Sequence, residues 1–232
     1  MVISSSKGTV PLIAKMFPES QIRVIYNGID LEEVDQTPIE RTWSEEAFII
    51  GRTSRFGRGK NLGLLIQAIQ HLSAGHPHLK LVLIGGDSLV PGAEPMDKEL
   101  KEMAKSSGKA VEFLGIKENP LPWVKGFNVA TCVSNPDNEG IPNSLIEAMA
   151  CRKPIISTDV DQINELVQNG ISGILIPPGD LDALCKAITR LEGDPGLCQQ
   201  FGEAGRAFVE QYFSLKKVAL QYADAYRSLL GI

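Results

Sequence analysis

Short apolar runs alternate with amphipathic stretches along most of the chain. Ala47-Phe-Ile-Ile-Gly51, Leu79-Lys-Leu-Val-Leu-Ile-Gly85, Ala110-Val-Glu-Phe-Leu114, Val129-Ala-Thr-Cys-Val133, Pro154-Ile-Ile-Ser157 and Gly173-Ile-Leu-Ile176 are of strand length and nearly continuous in hydrophobicity. That is the pattern of strands covered on both faces. Helical periodicity falls between them, at roughly 60–74, 95–107, 119–126, 142–151, 162–168 and 180–192. The alternation predicts an α/β fold with a Rossmann-like doubly wound parallel sheet, in which ligands bind beyond the carboxyl ends of strands.

That rule directs attention to the segments following strands. After the 47–51 run comes Gly51-Arg-Thr-Ser-Arg-Phe-Gly-Arg-Gly-Lys-Asn61, a loop rich in Gly and Arg that runs into a helix at Lys60. Arg52 and Lys60 bracket it as candidate phosphate ligands, the first a planar fork and the second a point charge, with Arg55 and Arg58 as helpers. A basic loop on its own is more often a solvated face; its position after a strand favours a site. After the 129–133 run comes Asn138-Glu-Gly-Ile-Pro-Asn-Ser-Leu-Ile-Glu147. Pro142 suits a first helical position, and the N–H groups of a helix start form an anion site that Gly140 lets a ligand approach. Glu139 lies on the turn. Glu147, four residues beyond Asn143, falls on a face away from Leu145, Ile146, Met149 and Ala150. The alternative reading is a capping loop followed by an ordinary core helix. Gly85, Gly86 and Asp87 after one strand, and Gly115 and Ile116 after another, either end strands or edge a base.

Composition narrows the class further. A chain of 232 residues with 43% hydrophobic content has room for one large or two modest α/β domains. A net charge of −5 argues against a general nucleic-acid surface, and no run of 18 apolar residues is present to span a bilayer. The N-terminus lacks the pattern of a secretion signal. Cys132, Cys151, Cys185 and Cys198 lack metal-like spacing with His71, His76 or His78, so they read as reduced thiols of a cytoplasmic protein with no metal site. The histidines read as surface groups, and Trp43 and Trp123 as packing residues.

Taken in order, Asn27-Gly-Ile-Asp30, Gly51-Arg with Lys60-Asn, Phe113-Leu-Gly115, Glu139-Gly-Ile-Pro with Glu147-Ala-Met-Ala150, Lys153-Pro-Ile-Ile and Gly173-Ile-Leu-Ile-Pro-Pro-Gly-Asp180 resemble the donor-binding half of retaining nucleotide-sugar glycosyltransferases of family 4 (group 1), enzymes of GT-B architecture. The resemblance covers residue 20 to the C-terminus. It implies a hexosyltransferase of surface polysaccharide or glycolipid assembly, with a UDP- or GDP-sugar as donor, a glycan or glycolipid as acceptor, and no cofactor. It assigns Arg52 and Lys60 to the diphosphate, Glu139 to the transferred sugar, Glu147 to the ribose hydroxyls, and Gly140 and Ile141 to the turn facing sugar and phosphate. Pro142 at the helix start and Gly115 and Ile116 at the strand end, where they would edge a base, complete the candidate donor-binding set. The catalytic set it implies is Glu139, Arg52 and Lys60.

The chain departs from the family at Pro136, where a Ser is common, and at Asp161-Gln162, where many relatives carry Gly-Gly. Residues 1–19 resemble the last strand and helix of an acceptor domain, 20–202 the donor domain, and 203–232 helices that in relatives return to the acceptor domain. With that domain all but missing, the apolar positions of the last segment are expected to pack elsewhere, stay exposed, or meet a second copy or an N-terminal domain partner. Peripheral contact at the inner face of the cell membrane is left open. So are two other functions: a nucleotide-sugar binding module without transfer, and a GT-B-related epimerase or phosphorylase.

Overall fold

The computed structural model describes residues 1–87, 94–135 and 141–231. A short parallel pair, β1 (Val2–Ser4) and β2 (Ile22–Val24), flanks helix α1 (Val10–Ile13), and α2 (Leu31–Gln36) follows. The main sheet comprises β3 (Phe48–Thr53), β4 (Leu79–Ile84), β5 (Val111–Gly115), β6 (Val129–Cys132), β7 (Ile155–Thr158) and β8 (Gly173–Ile176). These six strands lie parallel in the order β5-β4-β3-β6-β7-β8. The predicted α/β doubly wound sheet is present, and all six strand expectations correspond to strands of it.

The helices between strands are α3 (Leu62–Leu72), α4 (Asp97–Ala104), α5 (Leu121–Val124), α6 (Asn143–Ala150) and α7 (Asp161–Asn164); α8 (Leu181–Glu192), α9 (Pro195–Tyr212) and α10 (Leu215–Leu230) end the chain. Successive strand residues point to opposite faces, so Ile50, Leu81 and Leu83 pack toward α3, α4 and α8. Their neighbours Ile49, Val82 and Ile84 join the core built by α5, α6 and α9. Both faces are covered, which explains why the strands read as unbroken apolar runs.

Several helices are shorter than their periodicity suggested, each for a local reason. Asn61 adopts a left-handed conformation (φ 49°), so α3 starts at Leu62 and Lys60 belongs to the tight turn before it. Gly108 at φ 52° breaks the helical path after α4. Pro142 keeps an extended ψ of 119° and caps α6 from outside, one position earlier than its expected first-turn place. Asp180 caps α8 by accepting from the Ala183 N–H at 2.8 Å.

Elsewhere, Val218 and Ala225 of α10 are buried with Ile25 against Ile3 and Tyr222, while Leu220, Tyr226, Leu229 and Leu230 remain exposed. His76 and His78, expected at the open surface, both approach the Glu192 carboxylate at 2.6 Å and join the start of β4 to the end of α8.

Candidate functional site

The strand order reverses direction between β3 and β6, and a crevice opens there beyond the strand ends. The cleft has a volume of about 840 Å³. Its floor is the loop after β3 and the Gly85–Asp87 turn after β4; its walls are the start of α6 and the segment after β5.

The basic loop is pinned, which separates it from an ordinary solvated face. The Ser54 N–H donates to the Ile84 carbonyl at 3.0 Å, Phe56 N–H to the Gly86 carbonyl at 2.7 Å, and Asn135 N–H to the Gly59 carbonyl at 2.9 Å. Gly85, at φ 140°, is required by this contact, because a Cβ there would fall 1.8 Å from the Ser54 carbonyl oxygen. Phe56 is buried beneath the loop and meets Phe113 edge-on at 6.2 Å.

Arg52 lines the cleft although its residue is only 2% exposed. Nη1 donates to the Thr131 carbonyl at 3.0 Å, and Nη2 lies 3.5 Å from Ser134 Oγ. The guanidinium thus brings a positive charge to the β3–β6 crevice while bracing the end of β6. Lys60 lines the same cleft from the turn before α3, as does Arg55 from an exposed position. Arg58 does not. It turns to Glu94 and to Glu99 and serves as a surface tie.

On the facing wall, Pro142, Asn143 and Ser144 place the first turn of α6 at the cleft, where helix N–H groups and the helix dipole favour an anion. Glu147 follows one turn later, half-buried, on the side away from buried Leu145, Ile146, Met149 and Ala150. Burial pushes its carboxyl up to about 7. Glu147 and Asn143 also border a second hollow of about 460 Å³, where the Asn27 amide donates to Asn143 Oδ1 at 2.8 Å.

Arg52, Lys60, Ile116, Pro142 and Glu147 therefore meet at one cleft. Gly115 ends β5 beside it at φ 70°, and Ile141 packs half-buried against the core under α6. Glu139 and Gly140 lie outside the described residues. Lys117 and Pro120 line the cleft and were missed by the motif reading. They follow β5 within five residues, so a search of each strand's carboxyl end would have found them. Among the described residues no group of His, Cys, Asp or Glu side chains is placed to hold a metal ion, and no helix is long and apolar enough to cross a membrane.

Known proteins resemble this chain in sequence and in fold. In sequence, the chain is 25% identical over 99% of its length to the capsular polysaccharide biosynthesis glycosyltransferase CapM of Staphylococcus aureus, covering 61% of that protein. It is 28% identical over 92% of its length to the N-acetyl-alpha-D-glucosaminyl L-malate synthase of Bacillus anthracis, covering 55% of it. The chain thus spans about 60% of the length of such curated relatives. In fold, it superposes on the Anabaena HepE structure in complex with UDP and glucose with a TM-score of 0.85 at 24% identity, over 98% of this chain and 63% of that one. The profile of the glycosyl transferases group 1 family matches residues 46–194, and the chain belongs to that family.

Proposed function

We propose that this chain is the donor-binding portion of a glycosyltransferase that moves a hexose or related sugar from a nucleotide-diphosphate sugar to a glycan or glycolipid acceptor, with retention of configuration. The observation that carries the reading is the convergence of Arg52, Lys60, the α6 N-terminus and Glu147 on one cleft at the strand-order reversal. Two cations and a helix start suit a diphosphate. Glu147 suits the ribose, because the hydroxyls of a bound nucleotide would give its buried carboxyl the donors it lacks among the described residues. The proposed donor is a UDP- or GDP-sugar; the HepE structures similar in fold contain UDP, UDP-glucose, or UDP with glucose.

In the proposed reaction the bond between sugar and diphosphate breaks with positive charge growing on the sugar and negative charge on the leaving group. Arg52, Lys60 and the α6 amides stabilise the second. Glu139 and the turn at Gly140, with Ile141 and Pro142, are assigned to the sugar, and Gly115 with Ile116 to the base. The acceptor face is assigned to a partner surface, a second copy or an N-terminal domain, that covers the exposed positions of α10. A peripheral position at the inner face of the membrane fits acceptors of the glycolipid class.

Calorimetry of UDP and GDP against Lys60→Ala tests the grip. Loss of a charge-assisted contact costs roughly 1.5–3 kcal/mol, so affinity should fall about tenfold or more. A change within about twofold removes Lys60 from the site. Glu139→Gln should leave nucleotide affinity intact and lower donor turnover; unchanged turnover in the presence of an acceptor surface would remove its role.

A further inference from the structure

The segment after β5 brings to the cleft a cation that the proposed diphosphate grip does not use. Gly115, left-handed at φ 70°, turns the chain so that Ile116 and Lys117 emerge at the cleft wall. Ile116 is 69% exposed and lies over the β4 turn, close enough that a Cβ on Gly86 would sit 3.0 Å from its Cγ1. The Lys117 ammonium stands 4.6 Å from the centroid of the Trp123 ring. Trp123 is itself packed against the core on the α5 and α6 side of the sheet. A cation over an indole face is restrained in position while its N–H groups remain available to a further acceptor.

Position along the sheet decides what Lys117 can meet. β5 lies two strands from β3, about 10 Å at the usual strand spacing, so Lys117 occupies the opposite end of the cleft from Arg52 and Lys60. A nucleoside diphosphate with its phosphates at the β3 end and its ribose against Glu147 sends its base toward Ile116, Lys117 and Pro120. Resting on the donor-site reading, we propose that Lys117 is a specificity-determining residue that selects bases carrying a carbonyl oxygen on the ring edge remote from the sugar, uracil or guanine, over the amino-bearing cytosine and adenine. An ammonium donates hydrogen bonds and accepts none. It matches the O4 of uracil or O6 of guanine, whereas the exocyclic amine of cytosine or adenine presents a second donor at the same place and leaves both unpaired.

Calorimetric titration of the 232-residue chain with UDP, CDP, GDP and ADP tests this, using wild type, Lys117→Met and Lys117→Arg. Wild type should favour UDP over CDP, or GDP over ADP, by about tenfold or more, the range of a hydrogen bond to a charged group. Lys117→Met should bring that ratio to within about twofold, and Lys117→Arg, still a donor, should keep it. A general packing role would weaken oxo and amino bases alike and leave the ratio unchanged. A wild-type ratio near one, or a ratio that survives Lys117→Met, overturns the inference while leaving the donor site standing. Failure of wild type to bind any of the four overturns both. Lys60→Ala should weaken all four equally, which separates loss of the phosphate grip from loss of base selection.

Discussion

A carboxyl held near neutrality by burial alone makes Glu147, beside the ribose contact proposed for it, a source of pH-dependent stability. Its ordinary value is 4.5 and its value in the fold is about 7, so between those pH values the folded chain binds the proton that the unfolded chain has released. Stability from this group is therefore full below pH 4.5 and is lost as pH rises through about 7. Glu147→Gln should remove that slope: urea denaturation should find the variant more stable than wild type at about pH 8 and similar at about pH 4.5. Equal slopes in the two proteins would mean that the carboxyl is solvated. The helix face of Glu147 was legible, because periodicity alone separates it from Leu145 and Met149, which are buried while Glu147 lines the cleft. The burial of Arg52 was not legible. It depends on the Thr131 carbonyl 79 positions away, and no local pattern encodes that partner.

At the scale of elements, strands were legible nearly to the residue because burial on both faces leaves an unbroken apolar signature. Helix ends were not, since left-handed Asn61 and the extended Pro142 act through backbone angles that periodicity does not report. Nor was the tie that seats α9. Arg206, with its side chain 6% exposed, forks onto both Asp35 oxygens at 2.8 Å, reaches Glu210 at 2.6 Å and donates to the Ala150 carbonyl at 2.8 Å. It therefore joins α9 to α2 and to the end of α6, the helix that carries Glu147. Its two acidic partners are about half-exposed and can rehydrate when it is removed. Arg206→Ala should cost about 2–3 kcal/mol, the worth of charge-assisted bonds, below the 3–5 kcal/mol typical of breaking a fully buried pair. Chemical denaturation reads the loss directly, and a change within about 0.5 kcal/mol would show that the network contributes little.

For the whole molecule, the order β5-β4-β3-β6-β7-β8 follows from where each chain crossover lands, and the alternation of runs predicted the doubly wound class without specifying neighbours. The reversal between β3 and β6 is what brings two loops, nearly 80 residues apart in sequence, to one cleft. At this scale α10 is two-sided. Val218 and Ala225 are buried, whereas Leu229 and Leu230 are 57% and 72% exposed. If that surface meets a second copy, light scattering of the chain should show association that Leu229→Glu with Leu230→Glu abolishes, with nucleoside diphosphate affinity unchanged. A monomer at all concentrations would rule out a second copy as the occupant of that surface.

The backbone lacing of the basic loop to the ends of β4 and β6 has an energetic corollary. Ser54, Phe56 and Gly59 are already hydrogen-bonded to neighbouring strand ends before any anion arrives, so the entropy of ordering that loop is spent during folding. A ligand docking there meets a seat assembled in advance.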